Sequence, residues 1–117
     1  MKEIDPGALD RRVSIWRSVT IDDGTATVKG EPAEIGARWA KRTDISDGER
    51  VRAQQLGQEL TTRFLVRSDP LTRTINGADR LICEGRVFFV TGTKEWGGAR
   101  VGIEITTSSQ PDTQTGG

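Results

Sequence analysis

Apolar residues at every second position, in short runs divided by turn residues, constrain this chain more than any other feature. In "RVGIEIT", residues 100–106, Val101, Ile103 and Ile105 share one parity. In "RRVSIWRSVTI", residues 11–21, Val13, Ile15, Val19 and Ile21 do the same, with Trp16 on the opposite face. A period of two is the signature of a strand buried on one face. Further strands are expected over 34–42 with Ile35, Ala37 and Trp39 on one face, over 60–68 with Phe64 and Val66 on one face and Arg63, Leu65 and Arg67 on the other, and over 78–83 and 86–92. Glu84-Gly85 between the last two is a tight-hairpin signal. "DDGT" at 22–25 and "KEWGG" at 94–98 read as turns, and Gly24 supplies a positive φ. Residues 26–34, broken by Gly30 and Pro32, read as a loop or a weak hairpin arm.

One stretch departs from this rule. Ser46 followed by Glu49 forms a capping-box pattern, and Gly57 is a helix stop. Between them lie Ala53 and Leu56, a thinner apolar line than a core-facing helix carries. The expectation is a short, polar, mostly exposed helix within an excursion at about 44–57, set between two strands. The count is six strands and one helix. Short links favour an antiparallel meander, and short strands around one small core suggest a barrel or a compact sandwich, of which the barrel is favoured.

With 117 residues, one domain is expected: an arm at 1–10, a β-barrel over 11–106 and a polar tail at 107–117. The hydrophobic set is only 33% of residues, so the core is small and neighbouring copies would add burial. The 17 basic and 17 acidic residues are spread evenly. No basic block offers a grip for nucleic acid, and a barrel that binds nucleic acid through stacking aromatics needs more than Trp16 and Trp96, the two aromatics easily placed outside. The other four, Trp39, Phe64, Phe88 and Phe89, sit at strand parities suited to a core.

The single cysteine, Cys83, lies in an apolar run and reads as a core residue, consistent with a reducing compartment. No histidine is present, which removes Ser–His and Cys–His catalysis. The carboxylate pairs Asp22-Asp23 and Asp44 with Asp47 lie in turn-rich sequence, where Asp serves local hydrogen bonding. No Walker, dinucleotide or metal-ligand pattern occurs. The expectation is no enzyme, no cofactor and no metal. No run approaches the ~20 apolar residues of a membrane span, and "MKEIDPG" lacks the apolar segment of a signal peptide.

The order of segments carries a resemblance. "LDRRVSIWR" leads to a strand with Trp39-Ala40, then "SDGER", "AQQ", "TTRFLVR" and "ADRLICEGRVFFVTG". Over residues 9–106 this resembles the head–tail joining proteins of long-tailed bacteriophages and gene transfer agents, the small head-closure or stopper proteins. The resemblance implies a structural virion protein, assembled in the host cytoplasm, that forms a ring at the neck. Six copies are favoured and twelve are the second choice. Its partners would be the portal and adaptor on the head side, the terminator and tail tube on the tail side, and packaged DNA at most non-specifically. An adaptor or tail-completion protein of the same neck is the nearest alternative, and a nucleic-acid-binding barrel the next. On the resemblance, Asp47, Glu49, Arg50, Arg52, Gln54 and Gln55 are channel or gate candidates. Gly48 and Gly57 are hinge candidates. Trp16 and Trp96 are partner-interface candidates. The polar excursion either lines a ring lumen or covers the open end of the barrel.

Overall fold

A computed structural model describes residues 3–22, 24 and 27–109, with the backbone alone for 19–22 and 27–29. The expected inward placement of Val19 and Ile21, most of the 22–25 turn and the tail from 110 onward lie outside the described side chains and residues. Gly24 has φ +91°, the positive value expected of it.

Six strands close into an antiparallel barrel: β1 (Arg11–Asp22), β2 (Thr27–Asp44), β3 (Thr62–Arg67), β4 (Asp79–Cys83), β5 (Arg86–Trp96) and β6 (Gly102–Ser108). The order around the barrel is β1-β2-β3-β6-β5-β4, with β4 returning to β1. This is not the meander that the short links suggested. β3 pairs with β6, so residues 68–78 must cross one end of the barrel to reach β4.

That crossing is a plug. Asp69 Oδ1 accepts from the N–H groups of Leu71 and Thr72, both at 2.8 Å, and Thr72 Oγ1 donates to the Arg67 carbonyl at 2.8 Å. These bonds satisfy backbone that would otherwise be buried unpaired. Thr72 and Ile75 are buried, and Leu71 packs against the core. Arg38 on β2 anchors the segment, Nε donating to Asp69 Oδ2 at 2.8 Å. Burial works against ionisation of Asp69, but Arg38 and the two N–H donors prevail and hold its carboxyl below its ordinary value. At the far end of the plug, Asp79, fully buried at its side chain, receives a bidentate contact from Arg17, both bonds 2.8 Å.

The core runs from Val13 and Ile15 on β1 through Phe64, Val66, Leu81, Cys83, Phe88, Ile103 and Ile105. Phe64 and Phe88 meet edge to face, with centroids 5.0 Å apart, the arrangement that ring quadrupoles favour. The Glu84-Gly85 hairpin forms as expected, with φ of 53° and 79°, the two positive values a type I′ turn needs.

Three strands differ from their sequence reading. β2 is one strand from Thr27 to Asp44, absorbing the expected loop at 26–34. A register shift between Ile15 and Trp16 skips Ile35, and a bulge of this kind exchanges the faces on its two sides. Beyond it Ala40 is fully buried and Trp39 is 53% exposed, the reverse of the expected parity. Arg38 and Gly36 take the face shared with Val13 and Ile15. A Cβ on Gly36 would lie 2.4 Å from Leu71 Cδ2, so the plug occupies the space a larger residue there would fill. β5 runs through the expected 94–98 turn as far as Trp96, and the chain reverses at 97–101 with Gly97, Gly98 and Arg100 at positive φ. Phe89, opposite in parity to buried Phe88, is 38% exposed. β6 continues two residues past Thr106, and Thr107 is fully buried.

Candidate functional site

The polar excursion sits between β2 and β3. Its helix, α1, spans Asp47–Gln55. Ser46 caps it, the hydroxyl accepting from Glu49 N–H at 3.3 Å. The reciprocal half of the capping box does not form, because the Glu49 carboxylate turns to the barrel. There it meets Arg63 of β3 in a two-pronged contact, Nη1 to Oε1 at 2.9 Å and Nη2 to Oε2. The hydrogen bond from Arg63 pulls the Glu49 carboxyl below its ordinary value, and Glu49 in turn raises Arg63. Arg63 also faces Glu104 at 3.6 Å, and Glu104 faces Lys94 at 3.4 Å. Charges of alternating sign thus run from α1 across β3, β6 and β5.

At its C-terminus α1 closes in a Schellman motif. Gln58 N–H donates to the Ala53 carbonyl at 2.9 Å and Gly57 N–H to the Gln54 carbonyl at 3.0 Å. Gly57 takes φ +79°, a left-handed value that an L side chain resists. Gly48 lies in the first helical turn, and a Cβ there would meet open space. The two hinge candidates therefore differ: the fold requires glycine at 57 and not at 48.

Within α1 only Ala53 is buried and Glu49 half-buried. Asp47, Arg50, Arg52, Gln54 and Gln55 are all exposed. The structure brings these candidates together on one helix and joins them to the barrel through Glu49 alone. Val51 and Leu56 are exposed on the same element.

The two tryptophan candidates lie apart. Trp16 is half-buried, its register partners being Glu34 and Arg80, and its Nε1 donates to Ser14 Oγ at 2.9 Å. Trp96, at the end of β5, helps to line a concavity of about 210 Å³ with Lys41, Leu65, Arg63 and Glu104. Sequence reasoning missed Trp39. It lies beside Arg12, whose guanidinium is 5.3 Å from the ring centroid, and lines a groove of about 330 Å³ with Pro6, Leu9 and Arg67. The signal for it was the β2 bulge, which no residue type in β2 announces. The N-terminal segment packs on this outer face. Ile4 is buried, and its Cδ1 would be 2.9 Å from a Cβ on Gly102.

Among the described residues no cluster of three or more His, Cys, Asp or Glu is placed to hold a metal, and no helix is long and apolar enough to cross a membrane. What the surface offers is contact: a polar helix, an exposed tryptophan groove and a ladder of charges.

Two solved structures share the fold. The solution structure of protein SF1141 from Shigella flexneri 2a superposes with a TM-score of 0.70 at 21% identity, covering 93% of this chain and 99% of that one. A chain of the virion of a native gene transfer agent particle superposes at 0.56 and 16% identity, covering 84% and 91%. No curated protein sequence matches. The model of one family, phage head completion protein, matches residues 4–110, which takes in all six strands, the plug and α1, and the chain belongs to that family.

Proposed function

We propose that this head completion protein is the stopper: a ring beneath the portal and adaptor that seals the DNA exit channel and presents a docking face to the tail. Its partners are head-side adaptor or portal proteins, tail-side terminator or tail-tube proteins, and further copies of itself, six favoured over twelve. A six-copy ring would match a six-fold tail. Packaged DNA meets it at most non-specifically. In this reading α1 faces the channel and forms or flanks the gate, with Asp47, Glu49, Arg50, Arg52, Gln54 and Gln55 as its polar surface.

One observation carries the reading. The helix is held to the barrel by a two-pronged ion pair and one buried alanine, and the rest of it is exposed and, apart from Val51, polar. Such an element can be repositioned without disturbing the core, which gating requires. Gln54 and Gln55 donate and accept without fixed charge, so several copies can converge near an axis.

The test is DNA retention in tail-less heads. Shortening 47–57, or replacing Gln54 and Gln55 with Glu, should spare barrel folding and let packaged DNA leak, since converging like charges repel. Heads that keep their DNA with both variants would overturn the gate assignment. Attachment of the chain to a bare portal, with no other head-side protein present, would make it the adaptor instead.

A further inference from the structure

The barrel is closed everywhere except at one projection. β1 pairs with β4 only over Val13–Arg17, and β2 with β3 only over Ala40–Asp44. Yet β1 and β2 stay paired with each other as far as Asp22 and Thr27. Residues 18–22 and 27–35 therefore form a two-stranded ribbon with a backbone edge on each side that pairs with no other strand among the described residues. Nearer the barrel the β2 edge ends where Arg38 and Gly36 meet the plug at Asp69 and Leu71. A two-stranded ribbon is marginal in water on its own, and an open edge is a template for another strand. Monomeric proteins block such edges. Here the sequence of the two edges supplies Pro32, at the base of the ribbon opposite Ser18, and charges of both signs, Asp22 on one edge and Lys29, Glu31 and Glu34 on the other, with a register shift between Ser18 and Thr20.

We infer that the two edges pair head to tail between copies of this chain, the β1 edge of one ribbon (18–22) against the β2 edge of the next (27–35). The geometry selects a second copy. β1 and β2 run antiparallel within the ribbon. Copies related by rotation about a common axis repeat that up–down order, so the strands meeting across each boundary are again antiparallel. Because the contact uses two different surfaces, it is heterologous and closes by rotation into a ring. Closed, it leaves no edge free. Pairing of β1 with β1 would join two copies and leave both β2 edges open. The inference rests on the ring reading above and specifies which surfaces close the ring.

Single introduced cysteines test it, with fully buried Cys83 left in place and the unmodified chain as its control. Ser18→Cys is placed on one chain and Glu31→Cys or Ala33→Cys on another. The variants are mixed, assembled at high concentration or in particle necks, oxidised and read by mass spectrometry, with light scattering in parallel. The expected result is a covalent dimer containing one chain of each variant, lost when either variant is oxidised alone. Rings that give only same-variant dimers, no cross-link, or a cross-link from 31 or 33 to another neck protein overturn this inference and leave the ring reading standing. Monomers at every concentration and in particle necks overturn both.

Discussion

At the residue scale, the contact that matters most is Glu49 with Arg63, because it alone ties the charged surface of α1 to the barrel. Both side chains are about 31% exposed, so solvent screens the pair and its worth is at most about 1 kcal/mol. Glu49→Gln should leave the barrel's melting temperature within about a degree or two while raising amide exchange across 47–57. The pH dependence follows from the depressed carboxyl. A carboxyl held below its unfolded value contributes stability that is fully present above the ordinary carboxylate range and lost as pH falls through the lowered folded value. The protection of the α1 amides, expressed relative to their intrinsic exchange rate at each pH, should therefore fall on acidification in the parent and stay flat in Glu49→Gln. Equal pH profiles would assign the helix's attachment to other contacts. Gly102 is a second single-residue lever. A Cβ there would meet Ile4 Cδ1 at 2.9 Å, Leu65 Cδ1 at 3.1 Å and the Val66 carbonyl at 3.2 Å. Two of these neighbours are side-chain ends that can shift, but the carbonyl belongs to β3. Gly102→Ala should cost about 1–3 kcal/mol, in the range of overpacked sites, measured by denaturant unfolding.

At the element scale, α1 and β2 show how far the sequence reaches. The ends of α1 were legible because both are local: Ser46 caps through its own hydroxyl, and Gly57 supplies a backbone angle. The partner of Glu49 was not, because Arg63 is fourteen residues away and belongs to another strand. For β2 the alternation was visible and its phase was not. One bulge at Ile35 turns Trp39 outward, and the buried face then holds Gly36, Arg38 and Ala40, small or charged residues that only the crossing plug explains. The plug itself was hidden, since "DPLT" reads as a strand break and nothing local says that the chain next crosses the barrel. Two substitutions separate the glycines that bracket α1. Gly57→Ala should lower α1 stability by about 1 kcal/mol, the cost of a left-handed L residue. Gly48→Ala should raise it by a similar amount, as helix propensity predicts. Amide exchange on each variant reads both signs, and a loss of protection in Gly48→Ala would show that the first turn needs its glycine. Trp39→Ala removes an exposed ring from the groove beside Pro6, Leu9 and Arg67. It should leave the melting temperature nearly unchanged and weaken assembly into the neck, read as the fraction of heads that acquire tails.

At the scale of the whole molecule, a closed barrel has settled its own hydrogen bonds, so folding and assembly can be separated, and truncations locate the boundary between them. The C-terminal limit of the barrel is set by side-chain burial. Thr107 is fully buried and its Oγ1 donates to the Thr62 carbonyl at 2.8 Å, while Ser109 is buried beside Thr61. Ending the chain after Ser109 removes no residue of β6. Ending it after Thr106 strips a buried polar pair from the end of the barrel next to α1 and leaves the Thr62 carbonyl without its side-chain donor, a loss of order 1–3 kcal/mol. The first truncation should therefore melt with the parent, and the second should melt several degrees lower, a shift expected from that loss in a domain near this size. At the other terminus, removing residues 1–3 should be silent, whereas Ile4→Ala should lower stability by about 2 kcal/mol or more, as for other buried aliphatic truncations. We propose that residues 110–117 act between proteins, so the shorter chain should fold fully and still complete fewer particles. Melting curves and counts of tailed particles on the same four variants decide it. Full tail attachment by the chain ending at Ser109 would make the last eight residues dispensable and confine assembly to the barrel, its ribbon and α1.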